Sequence, residues 1–274
     1  MPRRLVSPTL VGRATELAAI THAIDSAAAG APIHQLVAGE AGVGKSRLVG
    51  EAVAMASARG MRVLFGGCAD IGDGGVPYGP IVEALRGLVR ELDDDQLEAV
   101  VGTARPDLAR LVPALGPATT DTAAQTESLQ VRLLDAVLGV LQRLSEISPV
   151  LFVVEDLHWA DPATRETIAF LIRQLGSDRV VLVLTFRADE LHRRHPLRPW
   201  LVELERGGRV ERLDLEPLDP TETSELLAAI LGAPPTPALA DQIHRRSDGN
   251  PFFVEELLGA GEDAVGGRLP TTLR

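Results

Sequence analysis

Gly39-Glu40-Ala41-Gly42-Val43-Gly44-Lys45-Ser46 lies between an apolar run, Ile33 to Ala38, and a stretch of helical periodicity from Lys45 to about Ala58, which Gly60 should end. Glycines at this spacing let the backbone curl so that successive N–H groups face one point. The helix that follows adds its positive N-terminus, so the whole segment is suited to an anion. A lysine at position 45 would reach the β- and γ-phosphates of a nucleotide, and the Ser46 hydroxyl would ligate Mg²⁺. The pattern is a P-loop, and its strand–loop–helix context separates it from an ordinary glycine turn. Gly39, Glu40, Ala41, Gly42, Val43, Gly44, Lys45, Ser46 and Arg47 are therefore the candidate residues for binding ATP or ADP.

Outward from this loop, short apolar runs alternate with helical segments, which predicts an α/β fold with a mainly parallel sheet. Five strands are expected: Ile33 to Ala38, Arg62 to Gly66, Val150 to Val154, Val180 to Phe186 and a weaker alternating run, Arg209 to Leu215. Continuous apolar runs such as Val150 to Val154 suit strands buried on both faces. Between the second and third lies a long, mostly helical insertion, Val82 to Ser145, broken by Pro106, Pro113 and Pro117. Asp161-Pro162 opens a helix that should run to about Leu175 and stop at Gly176. After Pro217 only helical patterns follow, Thr221 to Leu231, Pro237 to Arg246 and Pro251 to Leu258, so a small helical domain is expected there.

A P-loop needs an acidic partner at the end of a neighbouring strand. Val150-Leu151-Phe152-Val153-Val154-Glu155-Asp156 supplies two, at the carboxyl end where open α/β sheets bind ligands. Glu155 is the candidate for the Mg²⁺ shell together with Ser46, and Asp156 for orienting or deprotonating the attacking water. The usual order in related ATPases puts Asp first, so the two roles could be exchanged. The next strand ends Leu184-Thr185-Phe186-Arg187, where Thr185 or Arg187 could contact the γ-phosphate. An arginine fork can hold phosphate oxygens bidentately; a surface ion pair with Asp189 or Glu190 is the competing role for Arg187.

Composition narrows the function classes. The formal net charge of −11 opposes a nucleic-acid grip, which needs a basic face to displace counterions. The small basic cluster Arg193, Arg194, His195 and Arg198 reads as a solvated loop. Aromatics make up only 3%, so the core must be built from Ala, Leu and Val. No run approaches the roughly 20 apolar residues of a membrane span, and Met1 to Arg13 has no apolar signal-peptide core. The single cysteine, Cys68, excludes an internal disulfide framework and has no zinc-spaced partner, so a cytoplasmic location is expected.

Several elements together resemble a known group: Val11-Gly12-Arg13 with Glu16-Leu17, Glu155-Asp156-Leu157-His158-Trp159-Ala160-Asp161, Phe186-Arg187, and Gly249-Asn250-Pro251-Phe252-Phe253. They look like the ATPase module (NB-ARC/AAA-like) of the STAND class of signal-transduction ATPases. Within it they are most similar to the large ATP-binding regulators of the LuxR family and to related modules of some cyclases and kinases. The resemblance runs from about residue 9 to the C-terminus. It implies a P-loop NTPase of the ASCE/AAA-like type followed by a helical lid. It divides the chain into an N-terminal adenine-side segment and helix (1–30), an ATPase core (31–216), a lid (217–260) and a linker into a downstream domain (261–274). It also places Gly12 and Arg13 against the adenine and phosphates and uses Pro251 to pack the lid on the base, whereas the residues alone read as a turn and a helix stop and start. His158 and Trp159 are expected to pack beneath the site.

The implied activity is slow Mg-ATP hydrolysis acting as a switch, with ATP favouring a self-associated form. DNA would be reached only through a domain beyond Arg274. A faster remodelling ATPase, a small-acceptor kinase and a nucleotide-free scaffold are the rivals; intact Gly44, Lys45 and Ser46 oppose the last.

Overall fold

The computed structural model describes residues 6–70, 76–118 and 126–260. One parallel sheet of five strands runs β2-β3-β4-β1-β5. The strands are β1 (His34–Gly39), β2 (Arg62–Gly67), β3 (Val150–Glu155), β4 (Val180–Arg187) and β5 (Val210–Leu215). Around them lie α1 (Ala14–Ala28), α2 (Lys45–Ala58), α3 (Gly79–Glu91), α4 (Asp94–Val101), α5 (Arg105–Leu108), α6 (Thr126–Ile147), α7 (Pro162–Gln174) and α8 (Leu197–Arg206). Three further helices, α9 (Pro220–Leu231), α10 (Pro237–Ser247) and α11 (Pro251–Gly259), close the described chain.

Strand position explains strand composition. The inner strands β3, β4 and β1 are buried almost throughout, because helices cover both faces. The edge strands β2 and β5 mix buried and exposed positions, which is why Arg209 to Leu215 reads as a weak strand. Alternate residues feed two cores. Leu36, Phe152, Leu182 and Phe186 pack with α3, α6, α7 and α8 on one face; Val37, Leu151, Val153 and Val183 pack with α1 and α2 on the other. At about 25 cal/mol per Å² of apolar area removed from water, each such leucine or phenylalanine contributes roughly 1.5–3 kcal/mol.

The strand order matters for the site. From β1 the chain passes to β2 at the far edge, so β3 and β4 are inserted between them and the carboxyl ends of β1, β3 and β4 converge. Gly39 lies in register with Arg187, and Glu155 pairs with Gly67 one strand further on. Such a reversal of strand order opens a crevice above the sheet.

Two sequence expectations change in detail. Pro106 and Pro113 stand in the first turns of α5 and of a short 3₁₀ turn, so they begin elements rather than break one long helix. The Arg193-to-Arg198 stretch is not loop throughout: α8 begins at Leu197, anchored by Leu197, Leu201 and Leu204 in the core. The expected 261–274 linker lies outside the described residues. No described helix is long and apolar enough to cross a membrane.

The last three helices hold a small core of their own, Leu218, Leu226, Leu227, Ile243, Val254 and Leu257, with Val11 packed against it. Asp219 and Glu222 form a reciprocal capping box at α9, and Thr236 caps α10.

His34, at the start of β1, is fully buried and accepts a hydrogen bond at Nδ1 from the Leu182 N–H (3.1 Å). Burial, helped by the Arg209 charge, holds its pKa down at about 4. The folded pKa lies below the ordinary 6.5, so this contribution is complete above pH 6.5 and is lost as pH falls toward 4. We expect this ring to cost the fold about 2.5 kcal/mol between roughly pH 7 and pH 4.5. His34→Asn, whose side-chain oxygen can replace Nδ1 as acceptor, should lower the pH dependence of urea unfolding by that amount; an unchanged dependence would place its source elsewhere.

Candidate nucleotide-binding site

The P-loop emerges from buried β1 and feeds α2, whose N-cap is Gly44 at φ +107°. Lys45 is buried; its ammonium group donates to the carbonyls of Gly39 and Glu40, both at 2.8 Å, and so ties the loop across its own curve. Burial pushes the Lys45 pKa down, Arg187 adds to that, and Asp156, Asp189 and Glu190 act against it. Ser46 stands in the first turn of α2, and Arg47 beside it forms an ion pair with Glu255 of α11 (3.6 Å).

Two carboxylates face this loop from β3. Glu155 is half-buried, and burial raises its pKa; the Ser46 hydroxyl hydrogen bond favours the ionised form, Asp156 raises the pKa further, and Lys45 favours ionisation again. A serine hydroxyl hydrogen-bonded to a carboxylate is a pair of hard oxygen donors, which suits Mg²⁺. Asp156 takes a left-handed backbone (φ +59°), held by its N–H donating to Thr185 Oγ1 at 3.1 Å. A non-glycine residue in this region is uncommon and tends to persist where surrounding contacts over-determine it. The turn carries Asp156 into the wall of the cavity.

Thr185 is fully buried and serves Asp156 through that hydrogen bond. Arg187 lines the cavity and is also paired with Glu190 (2.6 Å), its guanidinium 5.2 Å from the Trp159 ring centre. Arg187 thus makes the ion pair expected with Glu190 while remaining in the cavity wall. His158 is buried, accepts from the Arg187 N–H at Nδ1 (3.3 Å) and lies against Trp159 with ring centres 4.5 Å apart. Burial lowers its pKa against the opposing charges of Glu190 and Asp156.

A cavity of about 570 Å³ runs between the P-loop and the last three helices. Its wall combines Gly42, Gly44, Lys45 and Ser46 with the apolar side chains of Leu10, Val11, Leu218 and Phe252. This volume is in the range of sites for small molecules. Pro251, the first residue of α11, also lines this cavity.

Arg13 and Gly12 both make close contacts within the protein itself. The Arg13 guanidinium is buried and donates to the backbone carbonyls of Val43 (3.2 Å) and Glu216 (2.6 Å), bracing the loop from behind while forming part of the wall. Gly12, at φ +68°, lies against Leu218 and Glu222, where a side chain would have no room.

Three residues make contacts to the loop and its helix that the sequence reading did not assign. Asn250 donates from Nδ2 to the Ala41 carbonyl at 2.8 Å, and the Phe252 N–H reaches the Gly42 carbonyl at 3.3 Å. Ser7 accepts from Arg47 through its carbonyl and donates its N–H to Glu255 (3.1 Å). The N-cap position of Asn250 was legible, but the partner of its amide, 209 residues earlier, was not.

Comparison with known proteins agrees with this geometry. The model of the AAA ATPase domain matches residues 9–184, more than half of the chain. An uncharacterised protein of Rhizobium meliloti is 30% identical over 279 aligned positions, which cover 90% of this chain and 24% of that protein. The chain thus spans about a quarter of that relative's length. Among solved structures, a STAND (signal transduction ATPase with numerous domains) protein with a tetratricopeptide repeat sensor, from Pyrococcus horikoshii, superposes with a TM-score of 0.50 at 15% identity. That match covers 92% of this chain and 30% of the Pyrococcus chain. A DNA replication initiation factor gives the same TM-score and identity over 95% of this chain and 64% of its own. At such identities the two structures speak for the fold alone. The family match and the P-loop sheet together make the chain a member of the AAA ATPase domain family, an ATPase of the P-loop type.

Proposed function

We propose that this domain is the nucleotide switch of a signalling regulator, binding Mg-ATP between the P-loop core (31–216) and the helical lid (217–260) and hydrolysing it slowly. The observation that supports it best is the direct contact of lid with loop, Asn250 and Phe252 on the carbonyls of Ala41 and Gly42. A switch needs contacts that differ between two states, and these join the two parts at the phosphate site.

In this reading the P-loop N–H groups, Lys45 and the α2 N-terminus hold the phosphates. Ser46 and Glu155 would hold Mg²⁺, which when bound neutralises charge on the phosphate oxygens. Asp156 orients the attacking water or takes its proton. Arg187, released from Glu190, would contact the γ-phosphate. Leu10, Val11, Pro251 and Phe252 would enclose the base. The Pyrococcus protein's described role, signal transduction with a repeat sensor, supports placing this domain in a similar multidomain setting. The resemblance to LuxR-family regulators supports a transcriptional output through a DNA-binding domain elsewhere in the longer protein.

Steady-state phosphate release and self-association, each measured with ATP and with ADP, test the proposal. The expected turnover is on the order of 10⁻² s⁻¹ or slower, the range of unassisted nucleotide switches. Self-association should differ between the two nucleotides. Turnover of about 10 s⁻¹, the ordinary enzyme range, with no nucleotide-dependent association would instead favour a remodelling motor.

A further inference from the structure

We infer that Asn250 is the positioning residue through which the lid reads whether the P-loop holds phosphate. This rests on the switch reading above and names the part that does the coupling.

The argument begins with the peptide unit joining Ala41 to Gly42. Its carbonyl accepts from Asn250 Nδ2 at 2.8 Å. In a planar trans peptide the C=O and the N–H point in opposite directions. With the Ala41 carbonyl turned to the lid, the Gly42 N–H is turned the other way, and Gly42 is part of the cavity wall. The carbonyl of the next unit, that of Gly42, also meets this helix end, accepting at 3.3 Å from the Phe252 N–H, which is shared with Asn250 Oδ1. Two successive peptide units of the phosphate loop therefore have their outer ends bonded to α11.

Fit at this contact is close. A Cβ on Gly42 would lie 2.8 Å from the Phe252 Cβ and 2.9 Å from Asn250 Oδ1, so only a glycine allows the lid to rest on the loop backbone. Asn250 is itself fixed from several directions. Its Oδ1 caps α11 by accepting from the Phe252 N–H (3.1 Å), and its own N–H donates to the Ser247 carbonyl (2.9 Å). One bond behind it, the Gly249 carbonyl accepts from the Leu218 N–H (2.8 Å), tying it to the start of the lid.

Capping alone does not require asparagine, because Asp, Ser and Thr cap comparably. The other two lid helices use Asp219 and Thr236. Only the cap that faces the P-loop is an amide, and an amide can accept at one atom while donating at the other. A phosphate bonded to the Gly42 N–H polarises the same peptide unit and makes the Ala41 carbonyl a better acceptor. Phosphate binding thus strengthens the lid contact, and by linkage the lid contact strengthens phosphate binding by the same factor.

The test compares the full chain with Asn250→Asp and Asn250→Ser, using Mg-ATP as the probe. Both variants keep a capping oxygen and should leave α11 helical by circular dichroism; the aspartate carboxylate has no hydrogen to donate, and the serine hydroxyl is one bond too short to reach the Ala41 carbonyl that Asn250 Nδ2 meets. In the wild type, Mg-ATP should slow amide hydrogen exchange in residues 251–259. In both variants that slowing should vanish and the affinity for Mg-ATP should fall roughly tenfold, as expected for loss of one well-placed hydrogen bond at a coupled contact. If either variant binds with unchanged affinity and its α11 still responds, the inference is overturned while the switch stands. If wild-type α11 ignores bound Mg-ATP, the switch reading itself fails.

Discussion

Lys45→Ala is expected to weaken Mg-ATP binding by about a hundredfold. Charge-assisted hydrogen bonds contribute roughly 1.5–3 kcal/mol each, and about 2.8 kcal/mol is a hundredfold in affinity. The structure adds a second cost. The Lys45 ammonium ties the Gly39 and Glu40 carbonyls, so its removal also loosens the loop that must present its N–H groups to the phosphates. Alanine suits the first turn of α2, where Lys45 stands, so the variant is expected to stay folded. Calorimetric titration of the two proteins with Mg-ATP is the measurement. Equal affinities would remove the P-loop assignment and the switch with it.

Asp156→Asn should retain Mg-ATP binding within a few-fold while slowing hydrolysis by about 10²–10⁴, the usual contribution of a general base. The substitution is well suited to the backbone, because asparagine is among the few residues that take the left-handed region Asp156 occupies. Glu155→Gln should behave differently. Its carboxyl meets the Ser46 hydroxyl, so removing its charge is expected to abolish the Mg²⁺-dependent part of ATP affinity. Single-turnover hydrolysis and binding with and without Mg²⁺ separate the two. The reverse pattern, with binding lost in Asp156→Asn and only turnover slowed in Glu155→Gln, would exchange the roles of the two acids.

Much of the site was readable before any coordinates because its chemistry depends on local sequence. A P-loop is contiguous: glycine positions set the curl, and the lysine and serine follow within one helical turn. The acids at 155 and 156 end a continuous apolar run, and burial on both faces makes such a run conspicuous. Caps at Asp161, Asp219 and Asn250 also use neighbours within three residues, so they too lie in the reach of sequence reasoning. By contrast, α8 was hidden beneath a basic cluster, because only its three inward leucines face the core.

Tertiary structure decided which strands meet and what the loop's outer surface touches. The order β2-β3-β4-β1-β5 brings Glu155, Asp156 and Arg187 around Lys45, though 110 to 142 residues separate them in the chain. No local preference encodes a backbone carbonyl's distant partner. The bond from Asn250 to Ala41 arises only when the last three helices pack on the core, and the Arg13 brace on Val43 and Glu216 only when the N-terminal segment does. The phosphate loop was therefore present in the sequence as chemistry, while its connection to the lid exists only in the fold, because main-chain acceptors carry no residue identity.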